Sequence, residues 1–564
     1  MRKPINNLYL MALALALPLL YSILYAPLGF EDTDTGFIIA FGHRVAAGEI
    51  PYRDFYYIRP PLSALFSGLL VKLIPYEAQV LHIRQLFYFY VSIIVLLTIS
   101  AVRLTGVALN KKETASVFVV SYVISVHNFP PMIWHTIDGL FWSAIALFFI
   151  AKTVSAKEHG SLYLFLAGIA SAFAALTKQS YYFLPLLLVL AITIHNRSFL
   201  AYERKLKLHP FLIGVAAPAL LFLYWLNQNN LIGDFLFQTK GAGLIDFIKA
   251  GFLAYPYSIF TSWPTLIAFA LSIFYGLYLY KFGKKNLFAD ALNGIVIIWC
   301  AVYIALNIYK TVNASEALNP IFSLRFDTAL FISTFAWSAY NLIKLHNCNH
   351  IDENAQLNFH KISALGLLIS WMSSISWGYM TPALYFTPIS LIAAQALKQN
   401  SIIISRIGRA SVLILLICIS ISNLKPYRDE SVGHLSKDLG EISERVSGIY
   451  STSQTFDKYK ELKELLLKLG CDKTAVLPSQ PLAHYLFGCK NPLRADWEMD
   501  AENAYSFDSE FNKLKQDADF ALVLNEKTFA FEGSQKYQST LTHMVEKQLP
   551  ILAKTRYYTI YKTR

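Results

Sequence analysis

The chain has 564 residues, 55% of them hydrophobic and only 15% charged, with a mean hydropathy of +0.41 and a formal net charge of +12. A soluble globular protein carries roughly 25% charged residues, so a mainly soluble fold is excluded. In a chain this apolar, the positive balance reads as basic loops on one membrane face rather than a nucleic-acid surface. The 34 tyrosines and 40 phenylalanines suit many helix ends at membrane–water interfaces.

The N-terminus, MRKPINNLYLMALALALPLLYSILYA, has the basic start of a signal peptide but a longer apolar run, so an uncleaved signal-anchor is expected. Stretches of about 20 mostly apolar residues, enough to cross a bilayer, recur about 13 times. They centre near residues 17, 94, 121, 144, 169, 187, 218, 270, 300, 335, 369, 390 and 415. Lys and Arg concentrate in alternate connections: Arg103, Lys111 and Lys112; Lys152 and Lys157; Arg197 to Lys207; Lys281 to Lys285; Lys344 and Lys361; Lys398 to Arg409. Beyond the first loop, the other set is poorer despite its longer loops: Lys178, Lys240, Lys249, Lys310 and Arg325. The positive-inside rule then makes the first set cytoplasmic, with the N-terminus inside and the first loop, 27–83, outside.

That loop carries the most informative stretch, EDTDTGFIIAFGHRVAAGEIPYRDFYYIRPP at 31–61. Glu31, Asp32 and Asp34 stand where a span surfaces, and Arg59 comes directly before Pro60-Pro61. Residues 36–48 place Phe37, Ile38, Phe41 and Val45 at near-helical spacing in a run too short to span, which predicts an in-plane amphipathic helix with His43 and Arg44 facing headgroups. Pro60-Pro61 opens a second short helix, since proline is well tolerated in a first turn.

From residue 425 the character changes: charges become frequent and long apolar runs end. FDKYKELKELLLKLG (456–470) predicts an amphipathic helix closed by Gly470, and residues 474–478, 520–524 and 556–563 predict strands. The division is a transmembrane domain over 1–424 and a small extracytoplasmic α/β domain over 425–564. Cys471 and Cys489 share the latter, on the oxidising side of this topology; a disulfide and two free thiols both remain open. Cys300 and Cys418 lie in apolar segments and Cys348 in a polar connection, and no Cys-x-x-Cys pair signals zinc or redox chemistry.

Acids after the first span, an in-plane helix, a Gly48-x-x-Pro51-Tyr52-x-Asp54-Phe55 turn, Arg59-Pro60-Pro61-Leu62 and Leu176-Thr177-Lys178 together resemble the GT-C class of integral-membrane glycosyltransferases. The likeness is to the branch of protein O-mannosyltransferases and aminoarabinose transferases. That branch commonly has Asp-Glu where this chain has Asp34-Thr35, and Lys where it has Arg59. The resemblance implies transfer of a sugar from a polyprenyl-phosphate donor to a cell-envelope glycan, lipid or protein on the non-cytoplasmic face, with inversion and no required cofactor. It points to Asp34 as the catalytic carboxylate, with Asp32 as second choice, and to Arg59 and Lys178 as phosphate ligands.

A carboxylate suits the first role because an attacking hydroxyl grows acidic as its bond forms; N-capping of the helix is the competing role for Asp34. Two acids this close also fit a divalent cation. A guanidinium offers phosphate a bidentate fork, against which stands an interfacial arginine reaching headgroups. His135 and Asp138 are candidates for binding sugar or acceptor, with a polar turn capped by Asp138 as the simpler reading. Arg325, near Asp327, is a further phosphate candidate, equally readable as half of an ion pair, and Asn313-Ala-Ser315 fits a glycosylation sequon. The rival classes are a polysaccharide or lipid-linked-sugar transporter, for which matched repeat halves are missing, and a non-catalytic assembly factor.

Overall fold

A computed structural model of the chain describes residues 8–197 without 108, 128, 156 and 157; residues 206–240; isolated positions between 251 and 302; and residues 326–346, 354–375, 383–396 and 429–564, the last without 431, 501–505 and 526–538. Ten helices occupy the described part of the first 240 residues: α1 (Leu8–Leu24), α2 (Asp34–Ala46), α3 (Leu62–Leu73), α4 (Gln79–Leu104), α5 (Lys111–Val126), α6 (His135–Ser155), α7 (Gly160–Ala175), α8 (Phe183–Arg197), α9 (Leu208–Gln228) and α10 (Ile232–Thr239). Phe326–His346, Asn354–Ser374 and Ala383–Ala396 are helical too. Each expected span from 17 to 218, and those near 335, 369 and 390, coincides with one of these helices. The expected spans near 270, 300 and 415 fall largely or wholly outside the described residues.

Among the described helices α4, α6 and α9 are long and apolar enough to cross a membrane, while α1, α3 and α7 are apolar but shorter. The outward face fits a lipid surround. On α1, Met11, Leu15, Leu19 and Ile23 recur every fourth residue and are all exposed. In a water-soluble helix that stripe would be the buried one. Inside the bundle α1 is held to α4 by Ser92, whose hydroxyl donates to the Ala14 carbonyl at 2.8 Å. Helices α7 and α9 approach through small residues: a Cβ on Gly168 would stand 2.3 Å from the Phe211 carbonyl oxygen, and one on Gly214 2.1 Å from that of Phe165. Close backbone approach of this kind is how helices associate where no water drives them together.

The C-terminal unit is the expected α/β domain. A helix over Ser453–Leu469 starts where Thr452 Oγ1 accepts the Thr455 N–H, and ends at Gly470, whose φ of +87° suits glycine. A short antiparallel pair, β1 (Lys437–Asp438) with β2 (Tyr450–Ser451), precedes a four-stranded sheet. The latter contains β3 (Thr474–Leu477), β4 (Phe520–Leu524), β5 (Ile551–Lys554) and β6 (Tyr558–Lys562) in the order β3-β4-β6-β5. β3 and β4 run parallel with Ala475 opposite Ala521, while β6 is antiparallel to both β4 and β5. Strand β5 was not expected: all four of its residues are exposed, so no buried face marks it in the sequence.

This domain sits against the first loop. Gly29 N–H donates to the Tyr450 carbonyl and Tyr450 N–H to the Pro27 carbonyl, at 2.9 and 2.8 Å. Tyr56 N–H reaches the Arg494 carbonyl, Ala78 N–H that of Glu444, and Tyr485 Oη donates to Gln79 Oε1. Arg445 lies between the rings of Tyr76 and Tyr485, 4.4 and 4.3 Å from their centroids. The first loop and the α/β domain therefore share one end of the molecule. Helix α2 is consequently not the surface-lying amphipathic helix expected. Residues 35–42 are all buried, more than two full turns, because α3 covers one side and the C-terminal domain another.

Candidate functional site

The start of α2 is organised by Glu31. Its carboxylate accepts the backbone N–H groups of Thr33 (2.9 Å), Asp34 (3.1 Å) and Thr35 (2.9 Å), and also the Thr33 hydroxyl. These are the donors a helix leaves unsatisfied at its first turn. Glu31, not Asp34, thus does the capping, and Asp34 begins the helix as a half-buried side chain.

Asp32 takes a different path. Its Oδ1 accepts the Leu482 N–H at 3.0 Å, in a gap that Gly36 keeps open, since a Cβ there would lie 2.7 Å from the same oxygen. Burial pushes the Asp32 carboxyl up to about 8, against the pull of the Leu482 N–H and Lys458 and with help from the Glu31 charge. The neighbouring Asp32 Oδ2 is buried without a hydrogen-bond partner.

The 48–62 segment forms the other wall. Tyr52 adopts a φ of +74° and its hydroxyl donates to the Arg59 carbonyl at 2.7 Å. Gln238 on α10 clamps the turn from outside, donating to the Tyr52 carbonyl and accepting the Tyr57 N–H. The Arg59 guanidinium then lies 5.4 Å from the centroid of the Phe37 ring, one turn along α2 from Asp34. Directly after it the two sequence motifs meet: Leu62 N–H, unsatisfied at the start of α3, donates to the Leu176 carbonyl, unsatisfied at the end of α7, at 3.0 Å.

Two residues on, the buried Lys178 directs Nζ to Thr136 Oγ1 (3.1 Å) and the Ser373 carbonyl (3.4 Å). His135, the first residue of α6, packs on Trp134 and Phe37 with ring centroids at 4.6 and 6.2 Å. It feels the charges of both Arg59 and Lys178, and its Nδ1 is buried with no hydrogen-bond partner. Arg59, His135 and Lys178 therefore converge, although 119 residues separate the first from the last.

A narrow cleft opens beside Arg59, lined by Phe37, Phe41, Tyr56, Ile58, Ala495, Asp496 and Trp497. Its far wall belongs to the C-terminal domain and is fixed by Arg44. That side chain is buried, with Nε 2.6 Å from Asp496 Oδ2, Nη1 2.9 Å from Glu49 Oε2 and Nη2 2.7 Å from the Leu493 carbonyl. Burial opposes its charge, but the Asp496 and Glu49 carboxylates outweigh that and hold the guanidinium above its ordinary value. Asn491 adds a bond to Asp496 at 2.8 Å. His43 meets the Tyr485 ring edge-on at 5.6 Å, and burial, then the Arg445 cation, lowers it to about 4. Neither His43 nor Arg44 faces headgroups as expected; the docked domain takes both.

Asp138 does not cap α6. Buried in the bundle, its Oδ1 accepts the Tyr90 hydroxyl of α4 at 3.2 Å. Arg325 and the Asn313–Ser315 sequon lie outside the described residues, as do Cys348 and Cys418. Cys471 and Cys489 are joined, with Cα atoms 6.0 Å apart. Among the described residues no three His, Cys, Asp or Glu side chains gather as a metal ligand set. Sequence reasoning assigned no role to Glu31, Asp496 or Trp497. The four-residue spacing from Glu31 to Thr35 was the available sign for the first; the other two act 450 residues away from α2 and carry none.

No family model matches this chain, and no curated protein does. Among solved structures the chain is similar to ArnT from Cupriavidus metallidurans in the apo state, at 13% identity and a TM-score of 0.43, covering 99% of this chain and 98% of that one. The same enzyme bound to undecaprenyl phosphate matches at 12% identity and 0.41, over 99% of each chain. An Archaeoglobus fulgidus oligosaccharyltransferase tethered to an acceptor peptide matches at 11% identity and 0.40, over 92% of this chain and 69% of that one.

Proposed function

We propose that the protein is a polytopic membrane glycosyltransferase of GT-C architecture that takes a sugar from a polyprenyl-phosphate donor. The observation that carries this reading is the convergence of Arg59 and Lys178 on His135, beside the helix whose first residue is Asp34. Two cations at the mouth of an apolar bundle suit the phosphate of a lipid whose tail lies among the helices. Asp34, half-buried at the start of α2, is the carboxylate for the acceptor. In the proposed reaction the acceptor oxygen bonds to the anomeric carbon, the bond from that carbon to the phosphate oxygen breaks, and the hydroxyl proton passes to Asp34. The configuration inverts, and the leaving polyprenyl phosphate stays on Arg59 and Lys178.

In this reading the site opens on the extracytoplasmic face of a bacterial inner membrane, the acceptor is a cell-envelope glycan, lipid or protein, and no cofactor is required. Asp32 serves the contact with the C-terminal domain rather than the chemistry. Purified protein given a radiolabelled polyprenyl-phosphate sugar tests this. Transfer by the wild type and its loss in Asp34→Asn are expected. Transfer unaffected by Asp34→Asn would remove the site assignment, and sugar export with no transfer would point to a transporter.

A further inference from the structure

Helix α10 is built the opposite way from a helix in water. Its exposed residues include Ile232, Leu236 and Phe237, while the residues it buries are Gln238 and Thr239. The apolar outer face suits lipid. A glutamine turned inward from such a helix is costly unless its amide is bonded, and polar groups kept at that cost tend to serve function. Gln238 is 5% exposed and uses both halves of its amide. Nε2 donates to the Tyr52 carbonyl at 2.8 Å, and Oε1 accepts the Tyr57 N–H at 3.0 Å. The amide fits in this orientation alone, because the carbonyl only accepts and the N–H only donates.

Both backbone groups belong to the segment that leads into Arg59. Tyr52 has a φ of +74°, a conformation that a residue other than glycine keeps only where its surroundings enforce it. Gln238 fixes its carbonyl, the Phe55 carbonyl fixes its N–H at 3.0 Å, and Phe235 of α10 meets its ring edge-on at 5.4 Å. The Tyr52 hydroxyl then donates to the Arg59 carbonyl at 2.7 Å. Tyr57 stands two residues before Arg59, and the Ile58 carbonyl between them accepts from Gln179, the neighbour of Lys178. Gln238 thus holds the approach to Arg59 at two points of the main chain.

We propose that Gln238 is a positioning residue for the donor: by holding Tyr52 and Tyr57 it sets the direction in which Arg59 presents its guanidinium to the lipid phosphate. The inference rests on the polyprenyl-phosphate reading. It gives the lipid-facing helix α10 a part in donor affinity, exerted through main chain rather than by contact with the phosphate.

The test is binding of undecaprenyl phosphate to full-length protein in nanodiscs, with the thermal midpoint measured on each variant. Gln238→Met keeps the length of the side chain and removes both bonds. It should weaken the lipid roughly 10-fold, and weaken it no further in a chain that already carries Arg59→Gln. Gln238→Glu supplies a rescue that does not depend on the Met variant folding. An ionised carboxylate cannot donate to the Tyr52 carbonyl, whereas the protonated acid both donates and accepts. Relative to wild type at the same pH, Gln238→Glu should bind weakly at about pH 9 and recover by about pH 5.5, since burial raises the pH at which a glutamate takes up its proton. Wild-type affinity in a folded Met variant overturns the proposal, as does a loss of equal size with and without Arg59→Gln. A Glu variant as weak at about pH 5.5 as at about pH 9 overturns it too. If Arg59→Gln weakens the lipid and neither Gln238 variant does, the role of Gln238 alone is lost. If the wild type binds no undecaprenyl phosphate, or Arg59→Gln binds it as the wild type does, the phosphate reading fails and this inference with it.

Discussion

The two ends of α2 carry charges that look alike in the sequence and behave differently in the structure. At the C-terminal end, Arg44 is buried with two carboxylates and a carbonyl around it, and joins the helix to the α/β domain. At the N-terminal end the acids divide: Glu31 takes up backbone N–H groups of the first turn, Asp32 accepts from Leu482, and Asp34 opens the helix without capping it. A buried charge with a full set of fixed partners is architecture. The acid that begins the helix without capping it is the one to which the proposed reaction gives the acceptor proton.

Each acid and the arginine can be changed singly, and the contrast predicts which property moves. Asp34→Asn should reduce transfer by about 10²–10⁴-fold, the usual weight of a positioned proton acceptor, with an unchanged unfolding midpoint; a large drop in stability instead would make Asp34 structural. Arg44→Met should act the other way. Removing one partner of a buried pair costs about 3–5 kcal/mol, and the expected result is early release of the α/β domain, read as protease cleavage near residue 429 at lower temperature. A domain that stays protected would show that the ion pair is not what holds it.

Glu31→Ala removes the helix cap and should destabilise by about 1 kcal/mol, with a smaller fall in transfer than Asp34→Asn, both measurable on the same preparation. A further effect concerns pH. The folded Asp32 carboxyl titrates near 8 against an ordinary 3.8, so between those values the folded protein holds a proton that the unfolded chain releases. Stability should therefore fall as pH rises from about 4 to about 8, and Asp32→Asn should flatten that slope in thermal unfolding scans. A variant with the wild-type slope would assign the pH dependence to another group.

What the sequence made legible follows from range. The helix over Ser453–Leu469 shows its apolar stripe locally, and β3 and β4 their apolar runs, so these were placed to within a few residues. Glycine and proline marked the right breaks at Gly470 and Pro60-Pro61. The candidate cations Arg59 and Lys178 were picked from short motifs, but nothing in either motif says that the other stands beside it. Arg44 was assigned to headgroups because an arginine on a short helix by a membrane ordinarily reaches them; its partner Asp496 is 452 residues further along. The same distance hid the burial of α2 against the α/β domain, since a helix covered by a remote domain has no periodicity that distinguishes it from one lying on lipid.

One backbone contact reaches further than its size. Because Leu62 N–H and the Leu176 carbonyl complete each other, the ends of two helices act as a fixed hinge pin, with Arg59 three residues before it and Lys178 two residues after. The spacing between the two cations is then a property of the main chain. Side-chain substitutions around the site can alter what each cation offers while the gauge between them stays set. A one-residue insertion between Arg59 and Leu62 would change that gauge with every functional group still present, and so would separate the geometry of the pair from its charge.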